Sequence, residues 1–118
     1  MCSSDLTLLG HPVVGTSWEG FVIENLVTAA PLRTAALFYR TGAGAEIDLL
    51  LEIPGHGLWA IDIKRGLPAR PEKGFYIACE DLKPARRFVV NSGDERYAIS
   101  EGVEAIGLKE LASMLAAL

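Results

Sequence analysis

At 118 residues, with half of them apolar and positive mean hydropathy, the chain has the size and composition of one domain with a substantial core, which excludes a chain dominated by disorder or by a solvated tail. Its net charge of −4 argues against indiscriminate nucleic-acid binding. The longest apolar runs fall short of the ~18–20 residues of a membrane helix, and the start lacks a basic-then-apolar signal pattern, so a protein of the cytoplasm, away from membranes, is expected.

Residues 1–10 show no sustained period and are expected to be an irregular lead-in, the remnant of a longer chain, ahead of one domain over 11–118. In TSWEGFVIENLVTAA, Trp18, Phe21, Val22, Leu26 and Ala29 recur at helical spacing, Thr16 and Glu19 fit a capping box, and Pro31 stops the helix. Ala36–Arg40 reads as a short strand with TGAG as its turn. In 45–53, Ala45, Ile47, Leu49, Leu51 and Ile53 alternate with Glu46, Asp48, Leu50 and Glu52. In 58–64, Trp59, Ile61 and Ile63 alternate with Leu58, Ala60, Asp62 and Lys64. Phe75, Cys79 and Leu82 place a second helix over 72–83, ended by Pro84. RFVV (87–90) reads as an interior strand, parallel to an earlier one through the helical crossover. Residues 96–99 and 103–106 read as short edge strands, and 107–118 as a closing amphipathic helix. The order makes the fold class α+β, or mixed α/β. Cys2 and Cys79 have no partner spacing and read as free thiols.

Charge is unevenly spread. Residues 1–63 hold seven acids against Arg33 and Arg40, whereas residues 64–87 hold seven bases against Glu72, Glu80 and Asp81. The chemistry concentrates in EIDLLLEIPGHGLWAIDIK. Period two puts Asp62 and Lys64 on one face. A three-residue loop, Pro54-Gly55-His56, pairs Ile53 with Gly57 and brings Asp48 opposite Asp62; a five-residue loop pairs Asp48 with Lys64. Either gathers the three side chains, with opposed Cβ atoms ~4.5–5.5 Å apart. An even loop splits them between faces. Two carboxylates so placed suit a hard divalent ion, with the Ile63 carbonyl as a further oxygen ligand. A lysine beside them can hold a water or stabilise charge developing on a phosphate. The alternative is a solvated strand face. Glu19 likewise has two readings, a capping-box acid or a third carboxylate of the site. His11 and His56 read as exposed, Trp18 and Trp59 as core, and no phosphate loop of the GxxxxGK[ST] type is present, so this chain carries no ATPase module.

Taken in order, WEGFVIENL, FYRTGAGAEIDLLLE and LWAIDIKRG resemble the C-terminal domain of unknown function in a prokaryotic family of predicted AAA+-type ATPases. That domain is similar to restriction-endonuclease-like, PD-(D/E)xK nucleases. The resemblance runs from about His11 to the end and implies an αβββαβ core with a mixed sheet. Position by position it implies Asp48 as the metal-binding aspartate, Asp62 and Lys64 as the acid and lysine of (D/E)-x-K, and Glu19 as the first-helix glutamate of the metal shell. Two departures stand out: Asp62 replaces the more usual glutamate, and Ile47 stands where proline precedes the aspartate. The implied activity is phosphodiester hydrolysis with Mg²⁺ or Mn²⁺. The implied partners are DNA or RNA, an AAA+-type ATPase, or a second copy as a homodimer. The competing readings are a non-catalytic nucleic-acid- or protein-binding module and a degraded remnant.

Overall fold

The computed structural model describes residues 5–8, 18–42, 44–65, 71–93, 95–100 and 102–118. Its elements run β1 (Asp5–Leu8), α1 (Trp18–Ala29), β2 (Ala35–Arg40), β3 (Glu46–Ile53), β4 (Gly57–Ile63), α2 (Lys73–Leu82), β5 (Arg86–Asn91), β6 (Tyr97–Ser100), β7 (Val103–Gly107) and α3 (Leu108–Ala116). From α1 to β5 this is the expected αβββαβ order, and the fold is α+β with a mixed sheet and a C-terminal helix.

The seven strands form one sheet in the order β1-β2-β3-β4-β5-β7-β6. Pairing is antiparallel from β1 to β4, parallel for β4–β5 and β5–β7, and antiparallel again for β6–β7. The crossover through α2 makes β4–β5 parallel, as the sequence predicts. Two expectations need correction. Asp5–Leu8, inside the lead-in read as irregular, is a strand paired along β2. Residues 103–106 are not an edge: β7 lies between β5 and β6, and of these two strands β6 is the peripheral one.

Two apolar layers cover the sheet. On one face Val22 and Leu26 of α1 and Leu111 and Leu115 of α3 pack on Leu49, Leu51, Ile61, Phe88, Val90 and Ile106. On the other, Phe75, Ala78 and Cys79 of α2 pack on Ile47, Leu50, Ala60 and Val89. Trp59 joins the first core, whereas Trp18 is only half-buried against it. Among the described residues no helix is long and apolar enough to cross a membrane.

The turn between β3 and β4 follows from its sequence. The His56 N–H donates to the Ile53 carbonyl at 2.9 Å, with Pro54 and Gly55 in the middle and Gly55 at φ +80°. Proline then glycine in those two places is what a type II turn requires. Ile53 pairs with Gly57, so the loop is the three-residue one, and the ladder continues to Leu49↔Ile61.

The alternation read into β3 does not survive. Leu37 pairs with Leu50 but Tyr39 with Ile47, so Asp48 and Leu49 together oppose Phe38. That extra residue is a β-bulge. Upstream of it Ala45 and Ile47 face α2; downstream Leu49, Leu51 and Ile53 face α1 and α3. The residue at the switch is Asp48.

Candidate functional site

The bulge frees Asp48 from the regular pleat, and its side chain reaches sideways to β4. Asp48 Oδ2 accepts the Ile63 backbone N–H at 2.9 Å, and Asp62 Oδ1 accepts the same N–H at 3.2 Å. Ile63 therefore presents its hydrogen-bonding edge to the β3 side. The carbonyl of a strand residue points the same way as its N–H, so the Ile63 oxygen faces the bulge too. On its other side β4 stays paired, the Lys64 N–H donating to the Val90 carbonyl at 2.9 Å.

Asp62 is 6 % exposed, and its Oδ2 is buried without a hydrogen-bond partner. Burial, then the hydrogen bond and negative charge of Asp48, push its pKa up to about 8; Lys64 and the Ile63 N–H pull the other way. At neutral pH Asp62 is therefore held largely protonated. Lys64 Nζ lies 3.7 Å from Asp62 Oδ2 and 3.3 Å from Glu72 Oε2. Partial burial pulls its pKa down, but the carboxylates of Asp62, Glu72 and Asp48 outweigh that and leave it above the ordinary lysine value. Lys64 is a fixed cation, not a base.

These groups line a cleft of about 260 Å³ bounded by Glu19 from α1, Gly44 and Glu46 before and at the start of β3, and Glu72, Gly74 and Phe75 at the start of α2. Trp18 sets the α1 wall, its indole N–H donating to the Lys64 carbonyl at 3.0 Å. Gly74 sets the α2 wall: a Cβ there would collide with the Gly44 carbonyl, so only glycine lets the helix start come this close.

Asp48, Asp62, Ile63 and Lys64, the residues singled out in the sequence, thus meet in one place, and Glu19 stands at the edge of the same cleft. Its carboxyl pKa is raised by loss of water, then by Asp48 and Glu46. Thr16, its proposed capping partner, and His11 lie outside the described residues. His56 is exposed, and Arg40 is an exposed strand-end residue whose guanidinium lies 3.4 Å from Glu46. Sequence reasoning missed Glu46, Glu72, Gly74 and the indole anchor. Glu72 was counted into the helix, but it is the extended residue just before α2. No local pattern reports the other three contacts.

Five carboxylates and a single ammonium line the cleft, so an anion entering it meets strong repulsion unless a cation enters with it. The oxygens fit a hard divalent ion. The orphaned oxygen of Asp62, a carboxyl that burial holds back from ionising, marks the point where a cation would favour the charged form. Among the described residues no three acidic, histidine or cysteine side chains are gathered closely enough to cage a metal unaided. Two carboxylates completed by water and the Ile63 carbonyl describe the donors better.

Fold and cleft together define an α+β domain carrying an acidic, lysine-bearing pocket where β3 and β4 part. The chain belongs to the family described as a domain of unknown function, DUF4143, whose model matches residues 14–111. It is 38 % identical over 102 residues to the uncharacterized proteins Rv2008c of Mycobacterium tuberculosis and Mb2031c of Mycobacterium bovis. The alignment covers 86 % of this chain but 22 % of either relative, so the chain spans about a fifth of their length. No solved structure matches.

Proposed function

We propose that the cleft is the active site of a nuclease-like, restriction-endonuclease-type domain that hydrolyses phosphodiester bonds of DNA or RNA with Mg²⁺ or Mn²⁺. The observation that carries the reading is the pairing of Asp48 with the buried Asp62 beside Lys64, with one aspartate oxygen left unsatisfied. Asp48, Asp62 and the Ile63 carbonyl would hold the ion, and Glu19, which lines the same cleft, would reach it through water. When bound, the ion supplies Lewis-acid stabilisation of a phosphate oxygen and a lowered pKa for a coordinated water. Lys64, held by Asp62 and Glu72, donates a hydrogen bond to the attacking water or to a non-bridging oxygen and offsets the negative charge that develops there. Trp18 and Gly74 position the walls of the cleft. In this reading the domain acts beside an AAA+-type ATPase that positions the nucleic acid.

The test is cleavage of supercoiled plasmid and single-stranded DNA or RNA with Mn²⁺ present, comparing the parent with Lys64→Ala and Asp48→Asn. Metal-dependent cutting by the parent that each variant loses by ~10²-fold or more supports the reading. Cutting that survives both substitutions, or no cutting by a folded parent whose metal binding is verified by calorimetry, overturns it.

A second reading has its own support: among the described residues no third carboxylate closes on the aspartate pair. A module that binds nucleic acid or a protein without cleaving would retain binding with metal chelated, and a copy-to-copy contact would show as a dimer in light scattering.

A further inference from the structure

The far side of α2 carries a second pocket of mixed polar and apolar lining, distinct from the acidic cleft. It has a volume of about 310 Å³ and is lined by Tyr76, Cys79 and Glu80 of α2, Arg87 of β5, Ser100 of β6 and Val103 of β7. The sheet brings the last three into one row, since Arg87 pairs with Val103 and Val103 with Ser100.

Arg87 is unusual in this neighbourhood. Arg86 lies 3.7 Å from Glu104 and its guanidinium covers the Trp59 and Phe88 rings; Arg96 reaches both Glu104 and Glu110. Arg87, half-buried, forms no ion pair with a carboxylate among the described residues, and its Nε is buried with no hydrogen-bond partner. The guanidinium lies against Gly102, where a Cβ would come within 2.8 Å of Nη1. A half-buried cation with an orphaned donor is costly unless something completes it. Two hydroxyls stand at the same pocket, Tyr76 Oη and Ser100 Oγ, 3.0 Å apart. Among the described residues Glu80 is the one acid lining the pocket, and it is exposed.

We infer that this pocket binds a phosphate monoester group, with the Arg87 guanidinium as its charged fork and Tyr76 and Ser100 as hydroxyl donors. A planar fork matches two oxygens of such a group, and the hydroxyls suit a third. The pocket is larger than a bare oxyanion needs, which leaves space for the molecule that carries it. The Cys79 thiol, held protonated by burial despite the guanidinium beside it, forms an uncharged floor. The inference is independent of whether the acidic cleft cuts phosphodiesters.

The experiment is a nuclear magnetic resonance titration of the isotope-labelled chain with inorganic phosphate, a nucleoside 5′-monophosphate, the unphosphorylated nucleoside, and acetate. Expected are amide shifts at Tyr76, Cys79, Ser100 and Val103, with a Kd of the order of 1–10 mM for phosphate. Tighter binding of the nucleotide than of phosphate assigns the group to a nucleotide or strand end; equal affinity assigns it to free phosphate. Arg87→Gln should weaken binding at least ~10-fold, and Tyr76→Phe or Ser100→Ala by ~3–10-fold. The last two remove only an exposed hydroxyl pair, so they serve if Arg87→Gln unfolds. Shifts confined to Asp62, Ile63 and Lys64, equal binding of acetate, or no saturable shift would overturn the inference.

Discussion

Asp48 on β3 and Ile63 on β4 are joined through the aspartate side chain, whose Oδ2 takes the Ile63 N–H at 2.9 Å where the ladder's carbonyls leave off. One carboxylate thus closes the end of a hairpin and, in the proposed function, also serves as a metal ligand. The two roles separate by substitution. Asp48→Ala leaves the Ile63 N–H with only the 3.2 Å contact to Asp62 and should cost ~1–3 kcal/mol in urea unfolding without metal. Asp48→Asn keeps an acceptor oxygen, so it should cost less than half as much while still abolishing Mg²⁺ heats in calorimetry.

Proton linkage at Asp62 has a definite sign. Its pKa rises from about 3.8 unfolded to about 8 folded, so between those values the folded chain holds a proton that the unfolded chain has released. Its contribution is complete below about pH 4, declines as pH rises, and is lost once pH passes about 8. Thermal melts at acidic and mildly alkaline pH should show Asp62→Asn gaining on the parent as pH rises. Each kcal/mol of that gain is worth roughly 4 °C. A constant difference between the two proteins would contradict the raised pKa of Asp62.

Gly74→Ala tests the close approach of α2 to the strand it covers. The added methyl meets the Gly44 carbonyl, a backbone atom that cannot rotate away. A loss of ~1–3 kcal/mol in chemical denaturation is expected, together with weaker metal binding as the cleft wall moves outward.

Trp18→Phe keeps most of the ring's packing and removes the donor to the Lys64 carbonyl. It should cost ~1 kcal/mol and shift the amide resonances of Ile63 and Lys64. Leu32→Ser, at a position 91 % exposed, is the matched control and should change neither.

Much of this architecture could be read in advance, for physical reasons that differ by element. Pro54 and Gly55 name their own turn, and the turn fixes the register that brings Asp48 toward Asp62. Helical spacing found α1, α2 and α3 to within a residue or two. Asp5–Leu8 escaped because a short strand on a sheet margin draws its order from its neighbour, β2, rather than from its own pattern. The face of β3 was misread because a bulge is a two-strand event: nothing in EIDLLL says that two of its residues will share one partner. Parity correctly predicted that the carboxylates meet. It supplied an incomplete reason, since Asp48 reaches the meeting point from a break in the pleat. Glu46 and Gly74 enter the site only through tertiary contact, which no window of sequence displays.

The β3–β4 hairpin also has a temporal meaning. Its contacts are local in the chain, whereas the α2 crossover and the β5–β7 pairing close much longer loops. Hairpins form within microseconds, so the two aspartates become neighbours while the helices that will wall them in are still undocked. The like charges are then opposed first in open water, where their repulsion is weak.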